Sequence, residues 1–197
     1  MPTKQEFQNH LDKAISFDTY FQQFEEKVLQ IKKGNTDIPY SEFYLLNLQR
    51  LKRSVKQTVL TKELTQTVGQ LNQKITWLVI SEYWCGDAAQ SLGTMKKIVD
   101  ASNGMIEFKL VFRDETPELI NAFLTNGGIA IPKIIQLNDS LDLLADWGPR
   151  PAEAQQMVQT ILKEGKPYAE ELHKWYAKNK TVDLQSELNA FLQKAKL

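Results

Sequence analysis

The stretch that decides the fold is Ile75-Thr-Trp-Leu-Val-Ile-Ser-Glu-Tyr-Trp-Cys-Gly-Asp-Ala-Ala-Gln90. Its first part, residues 75–80, is a short run rich in β-branched and aromatic side chains, which predicts a buried strand. A helix is predicted from about 86 to 101, so Cys85 stands at a helix N-terminus. Free N–H groups and the positive end of the helix dipole favour thiolate over thiol at that position.

Downstream of this stretch, strand and helix patterns alternate. We predict strands over 106–112, 131–137 and 141–147, and helices over 117–126 and 151–164. Helical crossovers imply parallel neighbouring strands, and the short connection between the last two strands implies a hairpin. The order β-α-β-α-β-β-α therefore predicts an α/β core with a mixed sheet.

Helices are predicted on both sides of this core. A capping-box pattern, Thr3 with Glu6, precedes the first helix. The predicted helices cover 4–16, about 21–33, 41–71 with a possible break near Thr61, 168–178 and 183–195, with a loop at 35–39. We divide the chain into a helical N-terminal extension at 1–73, a core at 74–165 and C-terminal helices packed on the core at 166–197.

The composition excludes several classes of protein. Lysine plus arginine (24) balances aspartate plus glutamate (24), so the basic field that nonspecific nucleic-acid binding needs is absent. No apolar run approaches the roughly 18 residues of a membrane span, and no secretory signal is visible. Because Cys85 is the single cysteine, no intrachain disulfide can form. A cytoplasmic protein with no nucleic-acid or membrane partner is expected.

The motif Trp84-Cys85-Gly86 resembles the active-site opening of the thioredoxin superfamily, and Ile131-Pro132 resembles its cis-proline. The segments Asn47-Leu-Gln-Arg50, Trp84–Gln90, Arg113-Asp114, Asn126-Gly-Gly128 and Trp147-Gly-Pro-Arg-Pro151 are similar to those of a bacterial thioredoxin-like family that also has a helical N-terminal extension. The resemblance implies a thioredoxin-like fold with helical extensions at both ends.

Three positions depart from the thioredoxin pattern. Ala88 stands where a dithiol enzyme has its resolving cysteine, so a mixed disulfide on Cys85 has no internal attacker. Val79 replaces the buried acid that assists proton transfer. Asp87 replaces the usual proline and suits a helix N-terminus, but its charge would raise the thiol pKa. The helix and the carboxylate act in opposite directions, and the sequence alone does not rank them.

We interpret Cys85 as a monothiol nucleophile that exchanges with a protein disulfide or a small thiol. No cofactor is required, although glutathione or another low-molecular-weight thiol could serve as co-substrate. The alternative is a redox-inactive thioredoxin-fold module that binds a peptide or small ligand. A third reading is a redox sensor in which Cys85 joins two subunits.

The expected substrate-binding residues surround Cys85 in this topology. They are Trp84, Gly86, Asp87, Ile131, Pro132, Trp147, Gly148 and Arg150. A cis bond before Pro132 would turn the Ile131 backbone toward the cysteine, where an extended substrate could pair with it. Arg150 could bind an anion such as a glutathione carboxylate, or it could only fix the turn by bonding to carbonyls.

The remaining polar candidates have structural interpretations. Arg113 and Asp114 close the second core strand and are expected to form an ion pair there. His10 and His173 lie in the terminal helices and make no ligand spacing with the cysteine, so no metal site is predicted. We expect His173 to lie on a helix surface, away from the chemistry.

Overall fold

The computed structural model describes residues 1–34 and 37–196. Its helices are α1 (Lys4–Lys13), α2 (Phe17–Lys32), α3 (Ser41–Gln57), α4 (Lys62–Gly69), α5 (Gly86–Ala101), α6 (Pro117–Ala122), α7 (Ala152–Lys163), α8 (Ala169–Asn179) and α9 (Val182–Gln193). Its strands are β1 (Ile15–Ser16), β2 (Ile75–Ser81), β3 (Ile106–Phe112), β4 (Lys133–Asn138) and β5 (Leu143–Trp147). Short 3₁₀ turns cover Arg113–Glu115 and Lys194–Lys196.

The five strands form one mixed sheet in the order β1-β3-β2-β4-β5. β2 runs parallel to β3 and antiparallel to β4, and β5 pairs antiparallel with β4 as the predicted hairpin. Every residue of β2 is buried, because both faces of this central strand are covered. This α/β, thioredoxin-like arrangement with helical extensions confirms the predicted fold class, and the boundaries proposed at 73 and 165 fall outside helices and strands.

Several predicted elements differ from the observed ones. The strand β1 was not predicted, because two residues are too few to show a strand period; it pairs antiparallel with β3. The helix predicted to 126 ends at Ala122, since Phe123 leaves helical geometry with φ −129°. β5 starts at Leu143 because Leu141 is in a turn with φ +60°. The segment 41–71 is two helices, and the loop at 35–39 is described only from residue 37 onward.

The helix α3 packs tightly against α5, the helix that begins after Cys85. The contact is closest at Gly93, where an added Cβ would lie 2.5 Å from the Ser54 Oγ and from the Val55 backbone nitrogen. The Ser54 hydroxyl donates to the Gln90 carbonyl at 3.1 Å across the same interface. This close approach fixes α3 beside the start of α5.

The helix pair α7 and α8 packs differently from the two ends of the chain. In the N-terminal extension, the buried rings of Tyr20 and Phe24 contact Tyr83, just before the cysteine, with centroid separations of 4.6 and 4.7 Å. The helix α9 also joins the main core, through Leu188 and neighbouring apolar residues. In contrast, α7 and α8 share a separate small cluster of buried residues, namely Ala154, Val158, Leu172 and Tyr176.

Candidate functional site

Cys85 caps the N-terminus of α5, as predicted, but its thiol is buried, with 7% of the residue exposed. The Sγ–H donates to the Ile131 carbonyl at 3.2 Å, and the Ala88 N–H donates to Sγ at 3.4 Å. Burial, followed by the charge of Asp87, raises the pKa of Cys85 to about 12, and the helix N–H groups and Arg150 only partly oppose this. The thiol is therefore protonated at neutral pH.

Asp87 is buried beside Cys85 and has three polar contacts. The Arg150 Nη2 and Nε donate to Asp87 Oδ2 at 2.6 and 3.0 Å, and the Tyr176 hydroxyl donates to Oδ1 at 2.6 Å. The remaining Arg150 nitrogen, Nη1, donates to the Gln155 side chain at 3.1 Å. Arg150 therefore already has a carboxylate partner, and its proposed role in binding an external anion stays a prediction.

A cavity of about 370 Å³ opens beside Cys85. Its walls come from the N-terminal extension, the core loops and the start of α8. Together these three regions contribute the lining residues Phe43, Asn47, Arg50, Trp84, Cys85, Gly86, Asp87, Arg113, Ile129, Ala130, Ile131, Arg150, Tyr168, Ala169, Leu172 and His173. Five of the predicted site residues besides Cys85 lie in this wall: Trp84, Gly86, Asp87, Ile131 and Arg150.

Arg50 was not predicted as a site residue. It reaches the cavity from α3, and its Nη1 donates to the Asn47 Oδ1 at 2.8 Å. The Asn47 amide nitrogen in turn donates to the Tyr83 carbonyl at 3.2 Å, which ties both side chains to the loop before the cysteine. Burial and then the neighbouring Arg53 lower the pKa of Arg50. The side chain is thus a partly desolvated cation at the cavity wall.

His173 is also in the wall, which corrects the expectation that it lies on a helix surface away from the chemistry. Its ring packs on Gly86, where an added Cβ would lie 2.9 Å from Cε1 and 3.2 Å from Nε2. Its Nδ1 lies 3.5 Å from the Gln90 Nε2. Burial, followed by the charges of Arg50 and Arg53, lowers the pKa of His173 to about 4. The imidazole is neutral at physiological pH.

Trp84 and Arg113 also line the cavity. The guanidinium carbon of Arg113 lies 4.5 Å from the centre of the Trp84 ring, within the distance range of a cation–π contact. The Arg113 Nη2 also pairs with Asp114 Oδ1 at 2.7 Å, as expected from the sequence. Asp114 is not part of the lining.

The remaining predicted residues are not part of the cavity lining. The Ile131–Pro132 bond is cis, and so is the Gly148–Pro149 bond, which was not anticipated. Gly148 has φ +124°, and a Cβ there would lie 2.1 Å from the Pro132 carbonyl oxygen, so a side chain at this position is excluded. The Trp147 indole donates to Glu187 at 2.7 Å. Pro132, Trp147 and Gly148 thus shape the loop and are absent from the cavity lining.

Glu82 is a second buried carboxyl near Cys85, and its sequence position gave no sign of a role. Its Oε1 accepts from the Asp114 N–H at 3.0 Å. Burial raises the pKa of Glu82 to about 7. Glu82 lines a different cavity from the cysteine, although its backbone carbonyl accepts from the Cys85 N–H at 3.1 Å.

Two negative findings hold for the described part of the chain. No group of three His, Cys, Asp or Glu side chains there is placed to hold a metal ion. No helix there is both long and apolar enough to cross a membrane.

Comparisons with known proteins agree with the fold. The chain superimposes on the crystal structure of a protein of unknown function, PA1234, from Pseudomonas aeruginosa, with a TM-score of 0.67, 17% identity and 99% of each chain covered. It also superimposes on a crystal structure of an HIV epitope-scaffold with a TM-score of 0.60 and 16% identity, covering 91% of this chain and 98% of the scaffold. No curated protein matches significantly.

A family model also matches the sequence. The model Thioredoxin_9, described as thioredoxin, matches residues 34–166, which span α3 to the end of α7 and include Cys85 and the cis-proline. The matched part covers more than half of the chain, and the chain therefore belongs to this thioredoxin family.

Proposed function

We propose that the protein is a thioredoxin-fold binding module that holds a small ligand in the cavity beside Cys85. The observation that carries this proposal is the state of the thiol, which is buried, donates to the Ile131 carbonyl and has a pKa raised to about 12. Nucleophilic exchange requires a thiolate. A protonated thiol beside an open cavity supports binding over covalent chemistry.

The shape of the site supports a small molecule as the ligand. Ligand cavities span roughly 300–1,000 Å³, and this one, at about 370 Å³, is near the lower end. A peptide adding to the sheet at Ile131 would have to share its carbonyl with the Cys85 thiol. Leu172 and His173 of α8 also line this cavity.

The test measures thiol reactivity and binding in the same protein. The rate of iodoacetamide alkylation should show no inflection at or below the pKa of a free cysteine, about 8.5. The neutral fluorescent probe N-phenyl-1-naphthylamine should bind the wild type and the Cys85→Ser variant alike, because a serine hydroxyl can also donate to the Ile131 carbonyl. The proposal would be overturned by an inflection of the alkylation rate well below the pKa of a free cysteine. It would also be overturned if the probe bound neither the wild type nor the variant.

Monothiol exchange is the second candidate, and one observation favours it. Cys85 lines the cavity, and the Ala88 N–H already donates to its Sγ. In this reaction the Cys85 sulfur would lose its proton and attack a disulfide, forming a mixed disulfide and releasing one thiolate that takes up a proton. A second, external thiol such as glutathione, abundant in a reducing cytoplasm, would then displace the partner and restore Cys85.

Intact mass after incubation with glutathione disulfide tests this second candidate. The mixed disulfide should form on the wild type and not on Cys85→Ser. Insulin reduction with dithiothreitol should remain negligible, because Ala88 supplies no internal attacker. Absence of the adduct at neutral pH in the folded protein would rule out the exchange.

A further inference from the structure

We propose that the ligand of the Cys85 cavity is a small molecule that combines an oxyanion, such as a carboxylate, phosphate or sulfonate, with an apolar ring. Arg50 is the residue we assign to the oxyanion. This inference rests on the proposed binding function and adds the chemical class of the ligand.

Arg50 lacks a carboxylate partner among the residues that the structure describes. Its polar contact is the Asn47 amide oxygen, which is neutral. The charged group that acts on it is another cation, Arg53. A partly buried guanidinium without a counter-ion is unfavourable, because desolvation is not offset by an opposite charge. An oxyanion in the cavity would supply that charge with the short hydrogen bonds that arginine forms to such groups.

The charges along the wall also favour an anion. Three arginines line the cavity, and Asp87 is the single carboxylate among the lining residues. Asp87 is already bound by Arg150 and by the Tyr176 hydroxyl. The carboxylate that pairs with Arg113 lies outside the lining. The cavity therefore keeps excess positive charge beside Arg50.

Two further features define the rest of the ligand. Apolar side chains lie at the cavity, and two of them are about half exposed, Phe43 at 47% and Ile129 at 45%. Covering such surfaces by a ring would contribute hydrophobic free energy. The neutral imidazole of His173 packs on Gly86 close to Arg50, where a ring nitrogen can donate to the same oxyanion. These features favour an aromatic or alicyclic anion over a bare inorganic ion.

A matched pair of probes tests the inference. 1-Anilinonaphthalene-8-sulfonate and N-phenyl-1-naphthylamine share their aromatic framework and differ in the sulfonate. We expect the sulfonate probe to bind the wild type about tenfold more tightly, as one charge-assisted hydrogen bond implies. This preference should disappear in Arg50→Gln and be partly retained in Arg50→Lys, which keeps the charge.

The control is Arg53→Gln, which removes a cation from the same helix at an exposed position outside this cavity. The preference for the sulfonate should persist in that variant, and circular dichroism should show that all three variants are folded. Equal binding of both probes to the wild type, or an unchanged preference in folded Arg50→Gln, would overturn the inference and leave the binding function intact. Binding of neither probe would overturn both.

Discussion

The N-terminal extension and the helix α8 are attached to the rest of the fold by different kinds of contact. The N-terminal extension buries large apolar side chains in the main core, among them Tyr20, Phe24 and Leu51. α8, in the C-terminal part, belongs to a small separate cluster. It reaches the start of α5 through polar contacts, from the Tyr176 hydroxyl to Asp87 and from His173 to Gln90.

This difference separates stability from access to the cavity. Apolar burial contributes free energy over a wide area, so loosening the N-terminal extension requires loosening the core. Hydrogen bonds are few and directional, so a single substitution can weaken the hold on α8. We therefore expect the N-terminal wall of the cavity to be rigid and the α8 wall to be the part that opens at lower free-energy cost.

The largest effect is expected where α3 meets α5. Gly93→Ala should lower the free energy of unfolding by about 3 kcal/mol or more, because the new methyl group would overlap the backbone of Val55 as well as the Ser54 hydroxyl. Urea denaturation measures this. The matched control is Gly69→Ala in α4, where no atom lies within 4 Å of the new Cβ; its effect should stay within about 1 kcal/mol. Equal effects would contradict a rigid α3 wall.

A smaller and more local effect is expected at α8. Tyr176→Phe removes the hydroxyl that donates to Asp87, a hydrogen bond to a charged group and therefore worth about 1.5 kcal/mol or more. Amide hydrogen exchange should become faster over residues 169–179 and remain unchanged over 41–57.

The control for this prediction is Tyr168→Phe. Within the described residues the Tyr168 hydroxyl has no hydrogen-bond partner, and its ring instead lies 5.7 Å from the Arg150 guanidinium. Exchange in α8 should therefore be nearly unaffected. If both variants accelerated exchange equally, the hydroxyl contact to Asp87 would not be what holds α8.

The third prediction concerns Glu82, on the side of the N-terminal extension. Its pKa is raised to about 7 in the folded protein, from an ordinary value of 4.5. The native state therefore holds the proton more tightly, and this contribution to stability is lost as pH rises from about 4.5 to 7. The measurement is the midpoint of urea denaturation as a function of pH. Glu82→Gln should remove the decrease in that midpoint between about pH 4.5 and 7. The exposed substitution Glu115→Gln removes only a minor one of the like charges that raise this pKa, so it should change the slope much less. A slope unchanged in Glu82→Gln would exclude the carboxyl as its source.

A pH effect of the opposite sign is expected for His173 in the α8 wall. Its pKa is lowered to about 4 from an ordinary value of 6.5, so the unfolded chain binds the proton more readily. Stability is then lost as pH falls from about 6.5 toward 4. The groups facing this ring are Arg50 and Arg53 of α3 and Gln90 of α5. In the wild type, urea midpoints should fall and amide exchange in α8 should become faster as the pH falls from about 6.5 toward 4. His173→Gln should weaken both changes. If both remained as large in the variant, the assignment to His173 would be refuted.

The fold was largely predictable from the sequence, and the wrong predictions have local causes. β2 and α5 were found with nearly the observed bounds, because an apolar run and a helix start are local signals. β4 begins at Lys133 and not at 131, since Pro132 has no N–H to contribute to the ladder. The turn at Leu141 was missed because only its positive φ marks it, and leucine gives no sign of that geometry.

The site was less predictable because its walls come from distant parts of the chain. The motif around Cys85 was recognisable, and so was the segment Asn47–Arg50, but nothing in the sequence indicated that Arg50 would lie beside it. His173 was assigned to a helix surface, since helical spacing does not reveal which face meets another helix. The raised pKa of Cys85 depends on burial, which the sequence could not weigh against the helix dipole.

The position of α8 late in the chain has a consequence for biosynthesis. The segment matched by the family ends at residue 166, whereas the cavity wall includes Leu172 and His173. Domains fold as units while the ribosome is still adding residues. The nascent core would therefore lack the α8 side of the cavity and also the α9 residues that join the main core, and the proposed ligand site would be completed only after both helices have emerged.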